Sequence, residues 1–207
     1  MPTRPVIKSK TAGEAFVVSI SGTSGAGKSS VIDKAAALLS SNCTLHFDDY
    51  VTLGQNIAQI RAWVDAGTNL DEIKTPGLAD DLRSLRSRMP TAGHRRIEPA
   101  DFVILEEPFG RARAELSPLI DFAVFIDTPT DVALARRLLR EIEAGRRDPA
   151  SFVGNMEIQL DAYLAAGRDA YLAAGRVVRA TADLVLDGMR KPDELAATLV
   201  GELLRRA

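Results

Sequence analysis

The fold of this chain is decided by the segment Phe16-Val17-Val18-Ser19-Ile20-Ser21-Gly22-Thr23-Ser24-Gly25-Ala26-Gly27-Lys28-Ser29. Its first five residues are mostly apolar and β-branched, which is typical of a buried strand. Residues 22–29 then match the pattern G-x-x-x-x-G-K-S, and residues 30–40 place apolar side chains at helical spacing. The segment therefore predicts a strand, a glycine-rich loop and a helix in direct succession, which is the context that this motif requires.

The glycine-rich loop predicts a site for nucleotide phosphates. Backbone N–H groups of such a loop can converge on phosphate oxygens because no side chains block them, and the following helix adds the positive end of its dipole. Lys28 is expected to reach the β- and γ-phosphates, and the Ser29 hydroxyl to ligate Mg²⁺. The pattern favours ATP with Mg²⁺ but does not separate ATP from GTP. The predicted nucleotide-binding residues of the loop are Gly22, Thr23, Ser24, Gly25, Ala26, Gly27, Lys28, Ser29 and Ser30.

Short apolar segments alternate with helical patterns along the rest of the chain. The predicted strands cover residues 16–20, 44–47, 102–105, 122–126 and 183–186. The predicted helices cover residues 30–40, 54–66, 76–88 and 192–205, and a further helix starts near residue 128. This alternation predicts an α/β fold of the P-loop NTPase type, with a five-stranded parallel sheet and helices on both faces. The 207 residues predict a single domain over 1–207, with a small arginine-rich lid at about 140–155.

Two of the predicted helices carry specific start signals. Pro76 stands at the start of the 76–88 helix, where its missing N–H costs least. The sequence Thr128-Pro129-Thr130-Asp131 predicts a hydroxyl N-cap at Thr128, proline at the first helical position and a carboxylate in the first turn.

The composition is that of an ordinary globular protein, with 46% hydrophobic and 26% charged residues and a formal net charge of −2. This balance gives no reason to expect a nucleic-acid or membrane partner. Cys43 is the single cysteine, which excludes an internal disulfide, and with two histidines a Cys/His zinc site is not expected. Residues 1–14 carry no apolar stretch of the kind that signal peptides have. The default expectation is a cytoplasmic enzyme that acts on a small molecule, with a homodimer left open.

Pairs of carboxylates follow two of the predicted strands. Asp48 and Asp49 follow the second strand, and Glu106 and Glu107 follow the third. In parallel α/β sheets the carboxyl ends of the strands carry the site. Asp48 is preferred over Asp49 as the base that accepts a proton from an attacking hydroxyl. Neighbouring residues on a strand point to opposite sides, so one glutamate is expected to face the site. Glu106 is assigned to a Mg²⁺-bound water or a substrate hydroxyl, and Ser29, Asp48 and Glu106 are the candidate metal ligands.

A cluster of arginines lies on and after the helix that starts near residue 128. It comprises Arg136, Arg137, Arg140, Arg146 and Arg147. Charge runs often mark a solvated helix face, but guanidinium groups also stabilise the charge that phosphoryl transfer spreads over equatorial oxygens. We therefore predict a lid in which Arg136 and Arg140 assist catalysis while Arg137 and Arg146 bind the nucleotide. Arg111 and Arg113 form a second basic pair near the strand-three carboxylates.

A tandem repeat lies between the arginine cluster and the last predicted strand. The sequence D-A-Y-L-A-A-G-R occurs at 161–168 and again at 169–176. One copy is too short to be a solenoid unit. Eight residues at about 100° each leave an offset of about 80° on an α-helix, so Tyr163 and Tyr171 are not expected to share a face. The simplest interpretation is a local duplication that lengthens a helix or its loop.

These segments together resemble the uridine kinase-like branch of P-loop kinases, which includes the nicotinamide riboside kinases. The matching blocks are the glycine-rich loop, the strand that ends in Asp48-Asp49-Tyr50, the strand that leads to Glu106, and the run from Phe125 to Gly145-Arg146. The resemblance implies that Asp48 is the general base, that Glu106 is the glutamate of the family's E-G motif, and that Arg136, Arg137 and Arg140 form its R-R-x-x-R run. The chain departs from the family at Glu107, which replaces the glycine, and in the segment from Tyr50 to Pro76, which lacks the nucleoside signature.

The function predicted from these observations is ATP-dependent transfer of the γ-phosphoryl group to a hydroxyl of a nucleoside or nucleoside-like acceptor. Two alternatives stay open. One is a P-loop kinase for a non-nucleoside acceptor such as a sugar, vitamin or antibiotic, and the other is a non-catalytic ATP sensor. A GTPase switch is disfavoured because the chain contains neither N-K-x-D nor D-x-x-G.

Overall fold

A computed structural model describes residues 13–52, 57–93, 95–145 and 149–207, and within these ranges the chain forms a five-stranded parallel sheet. The strands are β1 (Phe16–Ser21), β2 (Asn42–His46), β3 (Phe102–Glu106), β4 (Phe122–Asp127) and β5 (Leu184–Asp187). Their order in the sheet is β2-β3-β1-β4-β5. The parallel sheet predicted from the sequence is therefore confirmed.

The strand that precedes the glycine-rich loop lies at the centre of this sheet. Val18 pairs with Ile104 of β3 on one side and with Phe122 of β4 on the other. All six residues of β1 are buried. A strand covered on both faces has no solvent side, which explains why β1 is an apolar run rather than an alternating pattern.

Helices cover both faces of the sheet. They are α1 (Lys28–Leu38), α2 (Ile57–Asp65), α3 (Leu78–Arg86), α4 (Thr130–Gly145), α5 (Pro149–Ala162), α6 (Arg168–Ala180) and α7 (Pro192–Arg206). Helices α1 and α7 pack with Val18, Ile20 and Ile104 into one core cluster. Helix α3 packs with Val17, Val103 and Leu105 into another. Neighbouring residues of one strand thus enter different clusters, as the period of two in a strand requires.

A third apolar cluster lies where β2 and β4 approach their carboxyl ends. It joins Phe47 and Phe125 to Ala174 and Val178 of α6. Helix α6 therefore lies over the carboxyl edge of the sheet, the edge at which parallel α/β sheets bind ligands.

The start of α4 differs from the prediction. The helix begins at Thr130 rather than at Pro129, the predicted first helical position. The buried Thr128 hydroxyl, predicted as the N-cap, donates a hydrogen bond to the Ala26 carbonyl oxygen at 3.0 Å. Thr128 thus ties the end of β4 to the glycine-rich loop. Similarly, α3 begins at Leu78, two residues after Pro76, with Gly77 as its N-cap.

The tandem repeat continues a helix, but the prediction for its two tyrosines is wrong. The first copy spans the end of α5 and a π-helical turn, Tyr163–Gly167, and the second lies in α6. The rings of Tyr163 and Tyr171 lie side by side, with their centroids 6.3 Å apart. Eight residues exceed two α-turns by about 0.8 residue. A π turn bonds i to i+5 and so holds about one residue more than an α-turn, which cancels that excess.

The segment that is predicted to form an arginine-rich lid is described only in part. Residues 146–148, which include Arg146 and Arg147, lie outside the described ranges, as does most of the segment that precedes α2. In the ranges that are described, none of the helices combines the length and the apolar character that crossing a membrane requires.

Candidate active site

The glycine-rich loop joins the carboxyl end of β1 to the start of α1. Gly22, Gly25 and Gly27 have φ values of 144°, 86° and 102°, a region that disfavours L side chains. At Gly25 the space is also closed, because an added Cβ would overlap the carbonyl group of Ala133 in α4. The spacing of glycines in the motif therefore reflects both backbone conformation and the close approach of α4.

Lys28 is held at the mouth of this loop. Its Nζ donates to the Thr23 carbonyl oxygen at 3.3 Å and lies 3.9 Å from Glu106 Oε1. Burial lowers the pKa of Lys28 because the ammonium group loses water, whereas the charges of Glu106 and Asp48 act in the opposite direction. A desolvated ammonium group beside the glycine-rich loop is suited to binding an anion.

Glu106 connects the glycine-rich loop to the neighbouring strand β2. The Ser29 hydroxyl donates to Glu106 Oε1 at 3.3 Å, and His46 Nδ1 donates to Glu106 Oε2 at 2.7 Å. His46 and Glu106 are paired in the sheet register, which brings the ring and the carboxylate together. The sequence interpretation missed His46. Its position at the end of a predicted strand was the available signal, but the neighbour of that strand was not known.

A cavity of about 430 Å³ opens at the carboxyl edge of the sheet. This volume lies within the range of about 300–1,000 Å³ that is usual for small-molecule sites. The lining residues are Gly22, Thr23, Ser24, Lys28, Phe47, Asp48, Val51, Glu106, Pro108, Phe109, Phe125, Arg137, Tyr171, Ala174 and Gly175. Asp48, in the short 3₁₀ turn Phe47–Asp49, is one of these lining residues, and its neighbour Asp49 is not among them.

The two ends of the cavity differ in character. One end holds the glycine-rich loop, Lys28 and Glu106, which are polar or charged. The other end is apolar, and there Phe47 and Phe109 meet edge to face with ring centroids 5.7 Å apart. The arrangement can bind a molecule that is anionic at one end and flat or apolar at the other.

Glu107 points away from the cavity into the protein, as the alternation along β3 predicts. It is 0% exposed, and its Oε2 lies 3.1 Å from Nη1 of Arg113, which is itself 2% exposed. Arg113 also donates to the Thr75 hydroxyl, and Glu107 Oε1 accepts from the Phe109 backbone N–H at 3.3 Å. Burial raises the pKa of Glu107 to about 7, although Arg113 acts to lower it. The departure from the family at this position is therefore a buried ion pair that shapes the turn carrying Phe109.

The described arginines of the predicted lid take different places. Arg137 lines the cavity, and its Nη2 donates to Gln159 Oε1 at 2.6 Å. Arg136 donates to the Gly188 carbonyl oxygen at 3.0 Å, beyond the end of β5. Arg140 is exposed, yet it is close enough for its charge to lower the pKa of Lys28. Arg111 instead binds Asp183, the residue before β5, at 2.6 Å.

The loop residues predicted to bind nucleotide also divide. Gly22, Thr23, Ser24 and Lys28 line the cavity. Of the others, Ser29 contacts Glu106, and Gly25 and Gly27 shape the backbone. Ala26 receives the Thr128 hydrogen bond through its carbonyl, and Ser30 is exposed on α1.

Comparison with known proteins gives a consistent set of relatives. The chain is 26% identical over 194 residues to uridine kinase of Macrococcus caseolyticus, a match that covers 82% of this chain and 86% of that protein. It is 27% identical over 206 residues to uridine kinase of Deinococcus deserti, covering 89% and 95%. No protein-family model matches the chain.

A solved structure supports the fold independently. Shikimate kinase from Acinetobacter baumannii superimposes with a TM-score of 0.52 at 17% identity, over 93% of this chain and 95% of that chain. At this identity the likeness bears on the fold alone. The P-loop kinase architecture and the resemblance predicted from the sequence are both confirmed.

Proposed function

We propose that this uridine kinase-like protein transfers the γ-phosphoryl group of ATP to a hydroxyl of a nucleoside or nucleoside-like acceptor. The observation that carries the proposal is the cavity in which Lys28 and the glycine-rich loop meet Asp48 and an apolar aromatic wall. The relatives with the matching sequence are uridine kinases, which supports a nucleoside acceptor over the two alternatives considered from the sequence.

The phosphate end of the cavity fits the donor nucleotide. Lys28 has a side chain that is only 10% exposed and has lost much of its water, so an anion that accepts its hydrogen bonds offsets the cost of that desolvation. Arg137 faces the same end from α4 and adds a second cation. We assign the phosphates of ATP to this end because loop N–H groups, an ammonium group and a guanidinium group together neutralise the charge on the transferring group.

The oxygen groups at this end fit Mg²⁺. Ser29 Oγ and Glu106 Oε1 lie 3.3 Å apart, and Asp48 lines the same cavity. The described residues contain no cluster of three or more His, Cys, Asp or Glu side chains that could enclose a metal. This donor set suits Mg²⁺, which takes one or two protein oxygens and completes its shell with phosphates and water. When bound there, Mg²⁺ would neutralise charge on the β- and γ-phosphate oxygens. His46 holds the other carboxylate oxygen of Glu106 and so orients the group.

The acceptor end explains how a hydroxyl could be activated. We propose that a flat base packs against Phe47 and Phe109 and that the sugar hydroxyl then lies near Asp48, which lines the same cavity. The hydroxyl oxygen forms a bond to the γ-phosphorus, the bond from that phosphorus to the bridging oxygen breaks, and ADP leaves with the electron pair. The hydroxyl proton passes to a carboxylate oxygen of Asp48, which acts as the base.

The decisive experiment compares two neighbouring aspartates. We expect Asp48→Asn to lower kcat with the true acceptor by about 100-fold or more, because the amide cannot accept the proton. Binding of MgATP should weaken far less than kcat falls, since the glycine-rich loop, Lys28, Ser29 and Glu106 stay in place. The matched control is Asp49→Asn, which changes the exposed neighbour outside the cavity lining.

The assay should measure ADP release with uridine, cytidine and other ribosides, and with a panel of sugars, vitamins and antibiotics. Unchanged turnover in Asp48→Asn would remove Asp48 from the mechanism. Turnover of a non-nucleoside alone would replace the acceptor class, and tight ATP binding without any acceptor-stimulated turnover would favour a sensor.

The other expectations from the sequence remain proposals. The chain is proposed to act as one domain over 1–207, with a lid at about 140–155 that closes over the phosphates. Arg136, Arg137, Arg140 and Arg146 would be the lid cations. The cytoplasmic location and the homodimer left open by the sequence are also untested, and size-exclusion chromatography with light scattering addresses the second.

A further inference from the structure

Arg137 stands where the nucleotide cavity meets the tandem repeat. It lines the main cavity together with Gly22, Thr23, Ser24 and Lys28. It also lines a second, smaller cavity, which Thr23 and Ser24 share with Tyr163 and Tyr171. The guanidinium group therefore lies between the glycine-rich loop and both copies of the repeat.

Two side chains hold this guanidinium group. Gln159 Oε1 of α5 accepts from Arg137 Nη2 at 2.6 Å, and the Tyr171 hydroxyl of α6 accepts from Nη1 at 3.5 Å. The contact to Gln159 is therefore the shorter of the two.

A free arginine side chain samples many rotamers, and the conformational entropy that it loses when it binds a ligand lowers the affinity. Contacts that hold the fork in place before the ligand arrives reduce that loss.

The π-helical turn allows both contacts at once. It separates Gln159 in α5 from Tyr171 in α6, and it sets the rotation of one helix relative to the other. The same rotation stacks Tyr171 beside Tyr163, whose ring supports it at 6.3 Å. If the same eight residues formed a regular α-helix, Tyr171 would be displaced around the helix axis by about 80° relative to Tyr163.

We propose that the tandem repeat and its π-helical turn supply Tyr171 as a positioning residue which, together with Gln159, holds Arg137 toward the nucleotide phosphates. The inference rests on the proposed function, because it takes the phosphates of ATP to occupy the Lys28 end of the cavity. It gives the repeat a role in donor binding. Tyr171 and Gln159 act through Arg137 and need not contact the phosphates themselves.

The test is a double-mutant cycle measured as MgATP affinity by titration calorimetry on the full chain. Its variants are Gln159→Met, Tyr171→Phe and Arg137→Met, alone and in pairs with Arg137→Met. We expect Gln159→Met to weaken binding about tenfold and Tyr171→Phe about threefold, because hydrogen bonds to a charged group contribute more than neutral ones. In the Arg137→Met background, each change should alter affinity by less than about twofold, since the group that they position is gone.

Tyr163→Phe is the matched control. It removes a hydroxyl from the other tyrosine of the pair but keeps the ring that packs against Tyr171. We expect MgATP affinity within about twofold of the unmodified chain, because the described contacts of Arg137 are to Gln159 and Tyr171. Circular dichroism and thermal unfolding of every variant confirm that the helices are retained.

The possible outcomes separate the two proposals. The positioning role would be overturned if each substitution, Gln159→Met or Tyr171→Phe, changed MgATP affinity by the same factor with Arg137 present and with Arg137→Met. It would also be overturned if neither substitution changed the affinity when Arg137 is present. The kinetic readout adds a second criterion: KM for ATP should rise while KM for the acceptor stays constant. If no acceptor is turned over by the unmodified chain, the proposed function fails, but the calorimetric cycle still decides whether Tyr171 and Gln159 act through Arg137.

Discussion

At the scale of single residues, neighbouring side chains perform separate tasks at this site. Glu106 points into the cavity, where it meets Ser29, Lys28 and His46. Glu107 points into the core and pairs with Arg113. Successive side chains of a strand point to opposite faces, so Glu106 and Glu107 face opposite sides. The end of β3 therefore contributes one carboxylate to the site and another to the packing of the following turn.

The buried carboxyl of Glu107 should make stability depend on pH. Its pKa is raised from 4.5 to about 7, so between these values the folded state binds more protons than the unfolded state. This group therefore makes the free energy of unfolding fall as pH rises through that window. We expect Glu107→Gln to lose this dependence, so its stability relative to the unmodified chain should increase from about pH 5 to about pH 8.

Urea unfolding at several pH values measures this effect. The control is Glu115→Gln, which changes an exposed glutamate a few residues away and should leave the pH profile unchanged. Parallel profiles for Glu107→Gln and the unmodified chain would show that Glu107 keeps an ordinary pKa.

A comparison of alanine substitutions at Gly25 and Gly67 separates the cost of backbone strain from the cost of steric overlap. Gly25 and Gly67 have similar φ values of 86° and 98°, but an added Cβ overlaps Ala133 at Gly25 and meets nothing within 4 Å at Gly67. We expect Gly67→Ala to cost about 1–2 kcal/mol, the usual cost of a left-handed non-glycine residue. Gly25→Ala should cost at least about 2 kcal/mol more, because α4 must shift, and it should weaken MgATP binding. Urea unfolding and calorimetry check both, and equal losses of stability would contradict the overlap.

At the scale of secondary structure elements, the π-helical turn sets how α6 meets the sheet. Ala174 and Val178 of α6 join Phe47 and Phe125 in the third apolar cluster, which forms a wall of the cavity. A regular α-helix through the repeat would rotate these residues away from the cluster. The local cost of a π turn is thus offset by the apolar surface that α6 buries.

Inserting a residue into this turn should therefore be more damaging than deleting one. Deletion of Leu164 leaves a spacing that a regular α-helix brings within about 20° of two full turns, so α6 keeps its rotation and we expect a cost of about 1 kcal/mol or less. Insertion of an alanine after Leu164 rotates α6 by about 100° and should cost about 3 kcal/mol or more, because Ala174 and Val178 lose their packing. The control is Leu164→Ala, which changes a side chain that is 76% exposed and should cost about 0.5 kcal/mol or less. Urea unfolding measures all three changes, and equal stabilities of the insertion and deletion variants would mean that the turn does not set the rotation of α6.

At the scale of the whole molecule, the strand order assembles the site from distant parts of the chain. β1 and β3 are adjacent, although 80 residues separate Ser21 from Phe102. This pairing brings the glycine-rich loop beside Glu106, and β2 then adds His46 and Asp48. Helices α4 and α6 contribute Arg137 and Tyr171 to the lining of the cavity.

Lid closure is the prediction that involves the molecule as a whole. We expect MgATP with a non-reactive acceptor analogue to slow amide hydrogen exchange across residues 140–155 and in the glycine-rich loop, because arginines that bind phosphates hold the lid in place. Exchange in β1, β3 and β4 should not change. Protection confined to the loop would argue against a lid in this segment.

The sequence by itself determined the local structure and much of the candidate site. The glycine-rich motif, the apolar strands and the carboxylates after them predicted the parallel sheet and placed Lys28, Asp48 and Glu106 at one edge, because these signals depend on neighbouring residues. Only the tertiary structure decided that Glu107 binds Arg113, that His46 holds Glu106 and that Tyr171 meets Arg137. Those contacts depend on strand order, on burial and on one additional residue in a helical turn, and a linear pattern specifies none of these.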